Sequence, residues 1–296
     1  MKSLPALAFA AGLVACGSLH AQPEGSVVTN IGTPKAQTIA APTQRTWKLR
    51  WSDDFIGPAG VSPDPHFWTL EQGNHGFGAE ELQAYTARPQ NVSLSGRGEL
   101  IITALREDYE GLAYTSGRIH TRDKVEFRYG AIEIRAKLPS GHGIGAAAWT
   151  GGFGKGVSWP RCGERDIWEV FGGDATRIVS SLIGPSKLDL SVPAGQSESY
   201  YFPEGQNVSG WHIYRHEFTP AGGLDEPEEM RFYVDGQLYR RARPDWFGGE
   251  WVFNQQNHFL VFNIAIGGER PWGLPDISTE FPVRMIIDYV RLYDPS

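Results

Sequence analysis

Along most of the chain, hydrophobic and polar residues alternate one for one in short runs, as in segments 99–104, 129–137 and 230–236. These runs are bounded by Gly, Pro, Asn or Asp, residues that turn the backbone or interrupt a ladder. A period of two turns one face of a strand to a core and the other to water. No helical period of ten or more residues breaks the pattern, so the expectation is an all-β fold of two packed antiparallel sheets or a barrel. The 36 Gly and 20 Pro agree with it, being spread throughout.

Two N-terminal stretches depart from this alternation. Lys2 precedes an apolar run at 4–14 that is too short to cross a bilayer as a mature helix. Residues 1–21 therefore read as a signal peptide, and the chain as exported. Leu13-Val14-Ala15-Cys16 resembles a bacterial lipoprotein box, and Leu19-His20-Ala21 is a weaker match for ordinary signal peptidase. Cleavage before Cys16, with lipidation there and a periplasmic protein anchored to the outer membrane, is preferred over a free periplasmic or extracellular one. Either cleavage leaves Cys162 as the single thiol of the mature part, so no intramolecular disulfide is expected. Residues 22–46, rich in Pro, Thr, Ser, Gly and Gln, suit a flexible spacer. One folded domain, 47–296, follows.

Charge removes one class of partner. The 296 residues carry 27 Lys+Arg against 34 Asp+Glu, a net charge of -7, and the basic residues form no stripe, so nucleic acid is not expected to bind. A hydrophobic share of 41% supports a large core, and a monomer is expected. There is no His pair at helical spacing, no Gly-rich phosphate loop and no Gly-x-Ser-x-Gly elbow. His75, His120 and His142 are isolated and read as loop residues.

The densest chemistry lies in segment 159–171, which places Glu164, Asp166 and Glu169 in a run of strand-forming residues. Alternation sends Glu164 and Asp166 to one face and Arg165 and Ile167 to the other. One β-bulge at Ile167 or Trp168 returns Glu169 to the face of the first two acids. Retaining hydrolysis of a glycosidic bond needs two carboxyl groups about 5–5.5 Å apart. The Glu164 and Glu169 backbones lie roughly 13 Å apart by strand spacing, a gap that extended side chains can mostly close. Spacing alone leaves a catalytic row, a solvated face and a calcium site equally open.

Trp159-Pro160 followed by Gly163-Glu164, Asp166-Ile167 and Glu169 resembles the signature of glycoside hydrolase family 16, laminarinase type. Further landmarks follow in family order: Trp51 to Phe55, Glu81 to Gln83 with Tyr85-Thr86, Tyr114 to Arg118, Tyr129-Gly130 with Lys137 to Pro139, Phe232 to Gly236, Asn263 with Gly267-Gly268, and Asp288 to Arg291. The resemblance implies a β-jelly-roll sandwich with a concave substrate cleft. It implies Glu164 as nucleophile, Glu169 as acid/base and Asp166 as their assistant, in retaining cleavage of internal β-1,3 or mixed β-1,3/1,4 glucan bonds. Trp159, Trp149 and Trp168 are the candidate stacking rings, and Arg118, Glu81 and Asn263 the candidate polar contacts to sugar. No cofactor is required for the chemistry, but a structural calcium is implied on the convex side, held by the carbonyls of two of Asp54, Gly98 and Asp288 and by one aspartate. Two alternatives keep the fold: hydrolysis of a galactan such as agar or carrageenan, or transglycosylation; and a non-catalytic β-glucan-binding protein, against which the retained Glu164 and Glu169 argue.

Four departures from the family pattern fall on cleft positions. Gly145 replaces a stacking Trp, Ile183 a His, Ala79-Glu80 an Asn pair, and Glu269-Arg270 follows Gly267-Gly268 with Trp272 displaced. Arg165 stands where an Ile usually faces the core, so it is expected to find a carboxylate or reach outward. Cys162 reads as an inert small hydrophobe or a reactive thiol.

Overall fold

The computed structural model describes residues 46–153, 156–222, 226–268 and 272–296. Residues 1–45, with Cys16 and most of the spacer, lie outside the described residues, as do Glu269 and Arg270.

The strands, numbered in chain order, form two sheets. One runs β16 (Gln237–Ala242), β15 (Glu229–Val234), β14 (His212–Thr219), β9 (Gly130–Lys137), β18 (Val283–Pro295), β5 (Leu100–Tyr109), β6 (Leu112–Ser116) and β3 (Gln83–Tyr85). On it, β1 (Trp47–Asp53) pairs with β18 and β4 (Val92–Leu94) with β5. The other runs β13 (Pro193–Tyr201), β12 (Arg177–Pro185), β11 (Glu164–Phe171), β10 (Ile144–Gly151), β17 (His258–Ile266), β7 (Arg118–His120) and β2 (Thr69–Leu70). There β8 (Glu126–Phe127) also pairs with β17. Pairing is antiparallel except for β3 with β6. One 3-10 turn, Gly76–Gly78, is the helical element among the described residues.

The alternation read from the sequence becomes burial. On β10, Ile144, Ala146, Ala148 and Thr150 are fully buried while Ala147 and Trp149 are half-exposed. The inward residues of β10, β11 and β17 meet Ile132, Ile134, Tyr214, Met285, Ile287 and Val290 of the other sheet in one core. Between β15 and β16, Asp235 and Gly236 take positive φ (49° and 79°), as a two-residue type I′ hairpin requires. His120, expected in a loop, is a buried residue of β7, because its strand neighbours Arg118 and Ile119 pair with β17.

Candidate active site

Strand β11 carries the bulge that the acid spacing calls for. Against β12, Asp166 pairs with Ser181 and Glu169 with Val179, so three steps on one strand oppose two on the other. The same shift appears against β10, where Trp149 faces Asp166 and Ala148 faces Trp168. Glu164 and Glu169 are half-exposed, whereas Arg165, Ile167 and Trp168 are buried behind them. Hence the three acids share the outer face of the second sheet.

The bulge also corrects one assignment. Trp168 is wholly buried, its ring 4.6 Å from Tyr214 and stacked on Phe262, so it is a core residue and no sugar platform. The extra residue that turns Glu169 outward turns Trp168 inward. Trp159, by contrast, is 48% exposed, and its Nε1 donates to Glu164 Oε2 at 2.8 Å. Trp149 is half-exposed on the acid face.

Asp166 is 2% exposed, and its Oδ2 has no hydrogen-bond partner. Burial, then the charges of Glu164 and Glu169, push its carboxyl well above the usual carboxylate range, and Arg240 only partly offsets them. Burial and its neighbours therefore favour the protonated form of Asp166, which hydrogen-bonds Glu164. Ser181, opposite Asp166, donates to Glu169 Oε2 at 3.1 Å and is 3.0 Å from Ser197 Oγ. Alternation on β12 would have found Ser181; nothing in its own neighbourhood marks it.

Register extends the site across the sheet. Glu169 faces Ala147, which faces Asn263, which faces Arg118, a row that crosses β11, β10, β17 and β7 at about 4.8 Å per strand. Trp149 Nε1 donates to Asn263 Oδ1 at 2.8 Å, and Asn263 Nδ2 to the Tyr85 hydroxyl at 3.2 Å. Tyr85 and Gln83 in turn donate to Glu81 Oε2 at 2.9 and 2.6 Å. Arg118 is 8% exposed, pairs with Glu71 at 2.6 Å, and lies against the rings of Phe77, Tyr85 and Trp149. It supports the aromatic floor from below. Glu71 carries no local signal, because its partner is 47 residues away.

The altered cleft positions have structural answers. A Cβ added at Gly145 would sit 2.7 Å from the Trp272 ring, so the loop Trp occupies the space over the strand residue that lost its ring. Trp272 is held there by Nε1 donating to the Gly267 carbonyl at 2.7 Å, with Phe171 6.0 Å away. Ile183 pairs with Glu164, placing an apolar side chain beside that acid. Ala79 is buried, and its carbonyl would lie 2.2 Å from a Cβ at Gly268, so only Gly fits there.

Cys162 is fully buried, and burial, then the charge of Glu164, push its thiol up to about 11. It is the inert hydrophobe of the two readings. Among the described residues Arg165 meets no carboxylate, and it does not reach outward: it is wholly buried between Phe127 and Phe218.

On the other sheet, two of the groups implied for calcium, Asp54 and Gly98, lie close to each other, and the Asp54 carboxylate is 3.6 Å from Arg291. A Cβ at Gly98 would stand 3.4 Å from the Asp54 carbonyl oxygen, and Asp288 lies between the residues of β18 that pair with Asp53 and Leu100. The donors are oxygens, which fits calcium, and the Asp288 carboxylate is shared with Arg135 at 2.6 Å. An ion held there would tie three chain segments together far from the acids.

Comparison with known proteins gives a consistent picture. Residues 79–290 match the model of glycosyl hydrolases family 16. A beta-glucanase of Rhodothermus marinus is 38% identical over 271 residues, 83% of this chain and 85% of the relative. Glucan endo-1,3-beta-glucosidase A1 of Niallia circulans is 31% identical over 89% of this chain, which spans 39% of that protein. Among solved structures, the catalytic domain of an endo-1,3-beta-glucanase (laminarinase) from Thermotoga petrophila RKU-1 superposes with a TM-score of 0.74. It is 38% identical, and the match covers 85% of this chain and 99% of that one.

Proposed function

The chain belongs to glycoside hydrolase family 16, and from that premise we propose that it cuts internal β-1,3 or mixed β-1,3/1,4 bonds of a β-glucan with retention at the anomeric carbon. Membership makes it a glycoside hydrolase; the roles of its residues are our reading. The observation that supports them is the pair of donors on Glu164. Glu164 receives the Trp159 indole and the Asp166 carboxyl, two donors that suit a group which must attack as an anion. Glu164 then attacks the anomeric carbon while Glu169 gives its proton to the leaving oxygen. In the second half Glu169 takes a proton from water, which releases the sugar from Glu164. Asp166 orients the nucleophile and keeps its own proton throughout.

A polymer threading across strands requires an open face rather than a closed cavity, and the half-exposed Glu164, Glu169, Ala147 and Trp149 lie on such a face. Trp159, Trp149 and Trp272 offer rings along it. Galactan cleavage remains the second reading, motivated by Ile183 beside Glu164. Incubating the protein with laminarin, lichenan, agarose and carrageenan separates the two. New reducing ends on laminarin and lichenan are expected, and their absence there with products from a galactan would transfer the assignment. We also propose export and a lipid anchor at Cys16; palmitate label that persists after Cys16→Ala would exclude that site.

A further inference from the structure

From β11 the acid face extends in two directions. Towards β7 it carries rings and amides, whereas towards β13 it carries hydroxyls. Val179 faces Glu169 and Ser199 faces Val179, while Ser197 faces Ser181. Paired residues of neighbouring strands share a face, and the contacts agree. Ser181 Oγ lies 3.1 Å from Glu169 Oε2 and 3.0 Å from Ser197 Oγ. Gly195, opposite Ile183, and Ser197 are exposed and Ser199 half-exposed, so this part of the floor carries no large side chain.

A ring stands at the end of that floor. Tyr200 is buried in the core, so alternation sends Tyr201, the last residue of β13, outward, where it is 64% exposed. It faces Arg177, two residues before Val179 and so on the same side of β12. Arg177 is braced: Nε donates to Asp174 Oδ2 at 2.8 Å and Nη1 to Ser199 Oγ at 3.4 Å, and its Cζ is 6.0 Å from the Tyr201 ring. Phe171, two residues beyond Glu169 on β11, is half-exposed and pairs with Gly145, over which the Trp272 ring sits. Trp272, Phe171 and Tyr201 therefore form a second row, parallel to that of Glu169 and displaced towards the C-terminal end of β11. Among the described residues no strand lies beyond β13, so Tyr201 stands at an open end of the face. Two strand spacings and two residue steps put it about 12 Å from Glu169, a distance that a few sugar rings span. A single exposed ring is ordinary on a protein surface. This one is set apart by its register with a catalytic carboxylate and by the guanidinium beside it.

We propose that β12 and β13 form the leaving-group side of the cleft, with Tyr201 as its sugar platform and Ser197 and Ser199 as partners for sugar hydroxyls. The inference rests on the roles given to Glu164 and Glu169 above. Glu169 gives its proton to the oxygen of the departing sugar, so that sugar lies on the side of Glu169 away from Glu164. Phe171, Arg177 and Tyr201 lie on that side. The small residues between let a sugar ring approach the sheet, and the tyrosine offers an apolar face to its C–H groups.

The test compares two substrates for the full chain, Tyr201→Ala and Tyr201→Phe. One is a polymer; the other is an aryl glycoside of the matching disaccharide, whose small leaving group stops short of β13. The ratio of kcat/KM on the polymer to that on the aryl glycoside should fall about 3- to 10-fold in Tyr201→Ala and keep its wild-type value in Tyr201→Phe. An unchanged ratio in Tyr201→Ala would overturn the proposal, whether both activities are retained or both fall together. A ratio as low in Tyr201→Phe as in Tyr201→Ala would overturn the platform. The ratio is taken on whichever polymer of the panel above the wild type cuts. Failure on laminarin and lichenan would therefore end the glucan reading while the role of Tyr201 is still decided.

Discussion

Asp166 and Glu229 are both 2% exposed, yet the protein treats them in opposite ways. Glu229 starts β15 on the ten-stranded sheet and is held by Arg231, by Arg241 at 2.9 Å and by Arg243 at 2.6 Å. Burial pushes its carboxyl up, but hydrogen bonds from Arg241, Arg231 and Arg243 carry it below the ordinary value. Asp166 has two carboxylates for neighbours, and there burial and like charge act together to push it up. At equal exposure, the partners decide whether the upward push of burial is reinforced or reversed. Three guanidiniums hold a buried acid in its charged form, and two carboxylates push it towards its protonated form.

The largest expected effect is chemical. Glu164→Gln and Glu169→Gln should each lower kcat on laminarin by about 10³-fold or more with little change in Tm, as measured by reducing-end assay and calorimetry. Next comes the contrast itself. Glu229→Gln leaves three arginines unanswered and should cost about 3 kcal/mol, lowering Tm by roughly 10 °C with activity retained by the folded fraction. Asp166→Asn should leave Tm unchanged or raise it at neutral pH while reducing kcat about 100-fold. A fall in Tm for Asp166→Asn as large as for Glu229→Gln would erase the distinction.

The pH dependence should carry opposite signs. Asp166 has a raised folded pKa, so its contribution to stability is fully present below its unfolded value near 3.8 and is lost as pH rises towards the folded one. Glu229 has a lowered folded pKa, so its contribution is present above its unfolded value near 4.5 and is lost as pH falls through the folded one. Melting curves from pH 3 to 8 should therefore show the stability gap between wild type and Glu229→Gln closing on acidification. The gain from Asp166→Asn should close in the same direction, because the penalty it relieves exists only at higher pH.

Smaller effects belong to the periphery of the site. Trp272→Ala should raise KM for laminarin about 3- to 10-fold with kcat nearly unchanged, the size expected for one lost stacking surface. The smallest is remote from the chemistry. Calcium added to chelator-treated protein should raise Tm by a few degrees through Asp54, Gly98 and Asp288, without changing kcat.

How much was legible in the sequence followed from how local each signal is. Strand alternation gave the inward and outward faces of β9 and β15, and acid spacing gave the bulge in β11 with Arg165 behind it. The fate of Trp168 was contained in that same bulge and was misjudged, because a ring beside two catalytic acids invites a role that the register denies it. What the sequence hid was long-range. Arg118 and Glu71 meet across 47 residues, and the Trp272 ring settles over Gly145 by the fold of a loop 127 positions later. Arg165 was expected to find a carboxylate or reach outward, and its aromatic cage is built by Phe127 and Phe218 from two different sheets, which no local pattern announces.

The account centres on one bulged strand that sets a nucleophile and an acid on either side of a protonated aspartic acid. The most direct test is 1H NMR of the first products released from laminarin. Retention predicts that the new reducing ends appear as the β-anomer and only later mutarotate. Initial appearance of the α-anomer would contradict the roles given to Glu164 and Glu169.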